Sequence, residues 1–519
     1  WDTRQPVAEA DILAISLQYE LGFTNVLALL DLAGVPLRSA DRDDSHPLVI
    51  AGGPQADNPE PMADFLDLVV IGDGEPSMRA IVEFYQQLKR SGVRRREMIV
   101  EMARRFAWAY APSLYDVQYG PEGTIASFGP RAPLPAERRR IERCLTPNLD
   151  AAPFPVRPIV PYVEVVHDRI SIEIMRGCPQ LCRFCHAGNT KRPLCRRSVD
   201  RIVEIAEESY RATGIREIGL LSLSTADYPR LRELAERINA RFSPRRVSVS
   251  VPSLRVDKML ADIPWMVNAV RKGGLTIAVE AANEDMRAAI RKRVTDEQLM
   301  DGVQAAYRAG WRTVKLYFMA GFPGERPEDI DGIWRLSCAV SQARRKAGGS
   351  PASVTASVSW LVPKPHTPFQ WAAQARPEYF REVRQRLRSL ASAGHSTVRI
   401  RTHDIERSVL EAVLSRGDRK LCALVEMAYR FGARFDGWDE TFNYETWRLA
   451  MEKTGVDPAW YAHRERAFDE ILPWDHIVNK LGRPFLEREY RKSLTQLARG
   501  GQTLPDGDGM GIASPNLLP

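Results

Sequence analysis

Met175-Arg176-Gly177-Cys178-Pro179-Gln180-Leu181-Cys182-Arg183-Phe184-Cys185-His186 is the stretch on which the reading of this 519-residue chain turns. It continues directly from Arg169-Ile170-Ser171-Ile172-Glu173-Ile174, an alternating run that reads as a β-strand. The cysteines are spaced C-x3-C-x2-C. Cysteine thiolates hold iron–sulfur clusters, and a complete [4Fe–4S] cage takes four of them. Three thiolates leave one iron open, able to bind a small molecule and pass it an electron. The competing reading is zinc, which usually takes four ligands in paired spacings and would need His186 or Cys195 to complete the set. A strand that runs straight into the cysteine loop and then into repeated strand–helix units fits a cluster better than a zinc staple.

Working outward, six strand-like runs occupy 169–175, 217–223, 247–253, 275–281, 313–320 and 354–361, with helical spacing between them near 198–213, 229–241, 257–271, 284–309, 327–346 and 378–393. Such alternation predicts parallel strands, with ligands at their C-terminal ends. The expected fold is therefore α/β, with residues 165–395 forming a partial (β/α)6 barrel. Residues 1–111 alternate likewise: strands at 12–17, 48–51 and 68–71, the last two closed by Gly52-Gly53-Pro54 and Gly72-Asp73-Gly74-Glu75. That pattern predicts a Rossmann-like domain with glycines where open sheets bind ligands. Residues 112–164 are proline-dense and read as a wrapping linker, 396–498 as a helical accessory region, and 499–519, rich in Gly and Pro, as a disordered tail.

Seven cysteines in this length argue against a disulfide framework and for a reducing, cytoplasmic setting. No run of 18 apolar residues is present, so no membrane span is expected. The chain opens on Trp1 rather than Met, so its native N-terminus is expected to lie upstream. The net charge of +7 owes much to Arg94-Arg95-Arg96 and Arg138-Arg139-Arg140, which read either as solvated faces or as contacts for RNA; no RNA-binding signature accompanies them.

The cysteine stretch resembles the radical S-adenosylmethionine superfamily, whose CxxxCxΦC signature carries an aromatic residue before the last cysteine, here Phe184. The resemblance implies that Cys178, Cys182 and Cys185 hold a [4Fe–4S] cluster, that S-adenosylmethionine binds the open iron, and that its reductive cleavage gives methionine and a 5′-deoxyadenosyl radical. An electron donor such as flavodoxin or ferredoxin is implied too. Superfamily members receive the methionine amino group on a Gly-Gly-Glu turn after the second strand; here Ser222-Leu223-Ser224-Thr225-Ala226-Asp227 stands there, with Ser224 and Asp227 as acceptors or as an ordinary helix cap. By the same resemblance Glu280 contacts the ribose; Arg287 or Lys292 reads as a cation for the methionine carboxylate or as part of a solvated helix face, and Gly321 as a close approach for adenine or as a plain tight turn. Lys364 and His366 follow the sixth strand as candidate catalytic groups, His366 as a proton carrier. Cys195 is flanked by arginines, which could lower its pKa, and is the lesser candidate for a second catalytic thiol.

A narrower resemblance rests on Ser16-Leu17-Gln18-Tyr19-Glu20, Ala51-Gly52-Gly53-Pro54, Asn58-Pro59-Glu60-Pro61, Ile71-Gly72-Asp73-Gly74-Glu75, the run from Val362 to Trp371, and Ser415-Arg416-Gly417-Asp418-Arg419. These are similar to a family of radical S-adenosylmethionine proteins with a cobalamin-binding-type N-terminal domain and no assigned reaction. It implies cobalamin near Ser16, Gly52, Gly53, Gly72 and Gly74. The base-off D-x-H-x-x-G motif is broken: Asp44-Ser45-His46 is followed by Val49 where glycine belongs. The functional expectation is a radical enzyme, with cobalamin-dependent methyl transfer as one form of it. The alternatives are a methylthiotransferase-like RNA modifier, which would need a second cysteine triad that the chain lacks before Cys144, and a non-catalytic iron–sulfur sensor or interaction protein.

Overall fold

The computed structural model describes residues 5–250 apart from 164, 166 and 167, then 275–394 and 397–498. In the N-terminal domain β1 (Ile12–Ser16), β2 (Leu48–Gly52) and β3 (Leu68–Val70) pair in parallel, and β4 (Ala109–Tyr110) closes the sheet antiparallel to β3. The residues of β3 and the first four of β2 are buried, as strands sandwiched between helices must be. The helices are α1 (Phe23–Leu32), α2 (Gly74–Arg90) and α3 (Arg95–Arg105).

The stretch expected to wrap as a linker is instead pinned. It contains an antiparallel hairpin, β5 (Tyr115–Tyr119) and β6 (Ile125–Pro130). Bridges then tie Gly72 to Cys144, Ile125 to Ile471 and Ile141 to Ile477. Its prolines interrupt the alternation by which strands are read from sequence, but they leave edge pairing intact.

The central region runs β7 (Ile170–Glu173), β8 (Met175–Arg176), α4 (His186–Thr190), β9 (Cys195–Arg196), α5 (Val199–Thr213), β10 (Glu217–Leu221), α6 (Leu231–Phe242) and β11 (Ser248–Ser250). It continues as β12 (Leu275–Glu280), α7 (Glu284–Ala289), α8 (Asp296–Arg308), β13 (Thr313–Ala320), α9 (Pro327–Lys346), β14 (Ser353–Trp360), α10 (Pro377–Ser392) and β15 (Val398–Thr402). Helix α5 shows how sequence sets these bounds: the Ser198 hydroxyl accepts from the Arg201 amide at its start, and Gly214 takes φ +70° at its end. The strands form two parallel sheets, ordered β11-β10-β7 and β12-β13-β14-β15. β15 is a seventh strand, beyond the six expected, and it lies in the region read as helical from 396 onward. Part of the third expected strand (251–253), the helix expected at 257–271 and the tail from 499 lie outside the described residues. The long helix expected at 284–309 is two helices.

In the four-stranded sheet one face is apolar. Ile277, Val314, Leu316, Val354, Ala356 and Val398 bury against α8, α9 and α10. Alternation then turns Lys315, Tyr317, Thr355, Ser357, Arg399 and Arg401 to the other face.

The C-terminal helices are α11 (Ile405–Ser415), α12 (Leu421–Arg430), α13 (Tyr444–Thr454), α14 (Pro458–Ala462) and α15 (Arg483–Ala498). They are not a separate lobe. Leu410, Leu414, Leu421, Leu424 and Trp447 share one core with Leu27, Ile50 and Phe65 of the N-terminal domain. The Asn58 amide donates to the carbonyls of Ser415 (3.0 Å) and Gly417 (2.9 Å), across 357 and 359 residues of sequence. No helix among the described residues is long and apolar enough to cross a membrane.

Candidate functional site

The cysteine loop leaves β8 and returns through β9. These two strands pair antiparallel, Met175 with Arg196 and Arg176 with Cys195, and so close the base of the loop. Inside it, the Asn189 amide donates to the carbonyls of Cys182 (3.0 Å) and Cys185 (2.8 Å). Arg192 donates to the carbonyls of Cys178 (2.9 Å) and Gly188 (3.2 Å), and the Gly188 amide donates to Cys185 Sγ (3.4 Å). The three thiols are free. Burial pushes the Cys182 thiol up to about 12, against the pull of Lys292 and with a further push from Cys185, Cys178 and Glu280. The Cys178 and Cys185 thiols are raised as well, first by burial. Metal binding there must therefore release protons, so loading weakens as pH falls.

The donor set suits an iron–sulfur cage: three free, partly buried thiols stand within one loop, and cysteine thiolates are the ligands of such clusters.

Several of the expected site residues come together around the loop. Asp227 Oδ2 accepts from Gln180 Nε2 (3.0 Å), within the loop, and from Ser224 Oγ (2.7 Å). Glu280 ends β12 at a register shift with φ +72°, a strained conformation for a glutamate. Burial raises its carboxyl pKa, opposed by Lys292, whose Nζ lies 3.5 Å from Glu280 Oε1. Phe184 meets Phe322 edge-on at 6.2 Å, which sets the loop against the turn after β13. In that turn the Gly321 amide donates to Glu325 Oε2 (2.7 Å), which also accepts from the Tyr379 hydroxyl.

Burial raises the Glu325 carboxyl to about 7, more than the Tyr379 and Gly321 hydrogen bonds lower it. A carboxyl raised on folding binds its proton more tightly in the native state. Its stabilising effect is complete below the ordinary value of 4.5 and is lost as pH rises to about 7. Glu325→Gln keeps one oxygen as acceptor for both donors. We expect it to stabilise the protein by about 1–3 kcal/mol at pH 8 and by much less at pH 5. Urea titrations at both pH values check this; equal effects at the two would contradict it.

Other expected residues are already committed. Arg287 is buried, donating to the carbonyls of Ala281 (3.2 Å), Ala282 (2.6 Å) and Val294 (2.7 Å) and pairing with Asp296. It locks the turn between β12 and α8 and is not free for an incoming carboxylate. Lys364 sits between Glu20 (2.6 Å) and Glu411 (2.7 Å), which raise its pKa against the effect of burial. His366 is buried, its Nε2 2.9 Å from the Asp57 carbonyl oxygen, and burial lowers its pKa to about 3. It stays neutral at physiological pH and cannot serve as the expected proton carrier. Burial raises rather than lowers the Cys195 thiol pKa.

In the N-terminal domain Ser16 Oγ accepts from Gln18 (2.6 Å), and a Cβ on Gly52 or Gly74 would meet no close contact. Gly53 and Gly72 are different. A Cβ on Gly53 would lie 2.8 Å from the Leu17 carbonyl oxygen, and one on Gly72 only 2.1 Å from that of Cys144. The chain itself fills the Cβ direction at both, so neither position tolerates a side chain. His46 precedes the N-terminal end of β2, away from the strand ends where ligands bind, and pairs with Asp43 (2.9 Å). Gly72→Ala, at φ +114°, is expected to cost about 2–4 kcal/mol by closing on the Cys144 backbone. A melt showing less than half that loss would mean the seam yields.

The chain order alone gives no sign of the group that binds the loop to the N-terminal domain. Arg143 Nη1 lies 2.7 Å from Asp57 Oδ1, and His186 Nε2 lies 3.1 Å from Asp57 Oδ2. Burial would raise the Asp57 carboxyl, but Arg143, then His186 and His366, outweigh it and hold it well below its ordinary value. Arg143 also donates to the Val478 carbonyl (2.9 Å). Arg176, at the loop's base, pairs with Asp73 (3.2 Å), Glu75 (2.5 Å) and Glu173 (2.8 Å). On the other side Arg183 pairs with Glu489 (3.1 Å) and donates to Gln496 (2.6 Å) of α15. A cavity of about 490 Å³ lies at the seam, lined by Phe128, His366, His476 and Asn479, with no cysteine in its wall.

Residues 172–336 match the family model described as the radical SAM superfamily, and residues 1–112 the one described as radical SAM proteins, N-terminal. A protein of Methanocaldococcus jannaschii, carried as uncharacterized protein MJ0966, is 24% identical over 413 residues, 79% of each chain. The ribosomal protein uS12 methylthiotransferase RimO of Dechloromonas aromatica is 26% identical over 185 residues, 31% of this chain and 40% of the relative. Among solved structures, the radical S-adenosylmethionine methyltransferase TsrM of Kitasatospora setae, with cobalamin and a [4Fe–4S] cluster bound, superposes with a TM-score of 0.44 at 14% identity over 72% of this chain and 67% of its own. The cobalamin-dependent enzyme OxsB, with aqua-cobalamin and S-adenosylmethionine bound, gives 0.41 at 11% identity over 95% and 72%.

Proposed function

We propose, from the premise that this chain belongs to the radical S-adenosylmethionine superfamily, that it is an enzyme whose reaction begins at Cys178, Cys182 and Cys185. The observation that carries the proposal is the convergence on one loop of three free thiols, the Asp227–Ser224–Gln180 group and the strained Glu280 with Lys292. A [4Fe–4S] cluster and S-adenosylmethionine, once bound, supply an electron and a 5′-deoxyadenosyl radical for hydrogen abstraction. The chain's residues hold and orient. Asp227 and Ser224 accept hydrogen bonds from the ammonium of the methionine moiety. Lys292 neutralises its carboxylate, and Glu280 turns toward the ribose. Phe184 and the turn at Gly321 close the apolar side of the loop and keep water away from it. An external reductant provides the electron. Cobalamin-dependent methyl transfer is one form the reaction takes if a corrinoid binds.

The test is anaerobic isolation with iron, sulfide and corrinoid analysis, followed by incubation with dithionite and S-adenosylmethionine. Formation of 5′-deoxyadenosine supports the proposal. An intact cluster with no cleavage, in the presence of candidate substrates as well as alone, favours the redox-sensor reading. The methylthiotransferase reading would need a second cluster, seen as about eight irons per chain rather than four.

A further inference from the structure

The polar face of the four-stranded sheet carries an unbalanced row of charge. Strand register places Thr276, Lys315, Thr355 and Arg399 side by side, and above them Ala278, Tyr317, Ser357 and Arg401. The three cations therefore fall within two strand spacings, about 10 Å, and one two-residue step along a strand, about 7 Å. Arg399 and Arg401 are exposed and Lys315 is partly so. Among the described residues none of the three pairs with a carboxylate; Lys315 only lies over the Tyr317 ring at 4.6 Å. Some surface arginines of this fold are paired, as Arg386 is with Asp331 and Arg407 with Asp439, whereas among the described residues these three stand together unpaired. Clustered like charges without acidic neighbours disfavour the empty state and favour an anionic ligand.

We propose that this face binds the phosphate end of a small phosphorylated substrate, with Lys315, Arg399 and Arg401 as its cationic contacts and Thr355 and Ser357 as hydroxyl donors. A single arginine fork satisfies a carboxylate, whereas three cations with hydroxyls between them match a group of two or more negative charges. The face belongs to the sheet whose first strand ends in Glu280, beside the cysteine loop. A substrate anchored here by its phosphate extends toward that loop. The inference rests on the radical-enzyme reading for its chemistry but not for its binding.

The probe is inorganic pyrophosphate, titrated calorimetrically into the full chain at low ionic strength. The wild type is expected to bind it, with affinity falling as salt rises, and Arg399→Gln/Arg401→Gln to weaken it at least tenfold. Lys315→Met should weaken it severalfold. Arg308→Gln/Arg388→Gln, which removes the same charge from exposed positions on α8 and α10, should leave it unchanged. Thermal melts of each variant confirm folding. Absence of wild-type binding, equal loss in both arginine pairs, or equally tight binding of succinate would overturn the phosphate site. Tighter binding of a short single-stranded RNA through the same three residues would replace the small molecule by a nucleic acid. Cleavage of S-adenosylmethionine, measured on the wild type in parallel, reports on the superfamily chemistry separately: pyrophosphate binding without cleavage leaves this site standing, and cleavage without binding removes it.

Discussion

Alanine at any one of Cys178, Cys182 or Cys185 is expected to abolish cluster loading and S-adenosylmethionine cleavage together. With three protein thiolates already one short of a full cage, losing another leaves two irons without a protein anchor. Iron should fall from about four per chain to below one after anaerobic reconstitution, and the brown absorbance near the visible edge should disappear with it. Cys195→Ala, by contrast, should load normally, because that thiol belongs to the closing strand β9 rather than to the loop. Arg176, which pairs with Cys195 across β8 and β9, keeps its three carboxylate partners in that variant. A single alanine variant of the triad that retained full iron and turnover would remove the triad from its proposed role.

The second large effect is expected at Asp57. Its carboxylate is 4% exposed and faces Arg143, which is 7% exposed. Asp57→Ala leaves the guanidinium buried without its counter-charge and should cost about 3–5 kcal/mol. Arg143→Met on the same background should restore part of that loss, because the stranded charge is gone. The same substitution releases His186, next to Cys185, so iron loading should drop even at temperatures where the protein remains folded. Denaturant titration of the two single variants and the double variant measures the coupling. A loss below about 1 kcal/mol for Asp57→Ala, or strictly additive effects, would mean that the pair is not the tie that it resembles.

The parts of the molecule governed by local pattern were readable in advance. The strand-to-loop transition at Cys178 rests on spacing within a dozen residues, and the βα alternation rests on periodicity, so both emerge from the sequence. Strand β15 did not, because Val398-Arg399-Ile400-Arg401-Thr402 is short and two of its five residues are exposed arginines. Its strand character comes from pairing with β14, a tertiary contact. The hairpin at 115–130 was hidden by proline. Asp57, Arg143 and Asn189 are invisible for the same reason: each acts through partners distant in sequence or through backbone carbonyls, which leave no composition signal. In the sequence Arg287, Lys364 and His366 read as facing a ligand, whereas each is held by neighbouring carbonyls or carboxylates. A charged residue after an apolar run must find a partner, and sequence alone does not distinguish a ligand from a neighbouring carbonyl or carboxylate.

The clamp on Arg183 has a consequence for biogenesis. Its partners Glu489 and Gln496 lie 306 and 313 residues downstream. At translation speeds of about 5–20 residues per second, the nascent thiols wait roughly 15–60 s before that side of their cradle is synthesised. During this interval the loop lacks its last support, so iron and sulfide delivered early would meet an unfinished receptacle. Cluster insertion should therefore follow release of nearly the whole polypeptide, and ribosome-stalled chains ending before Glu489 should take up iron poorly.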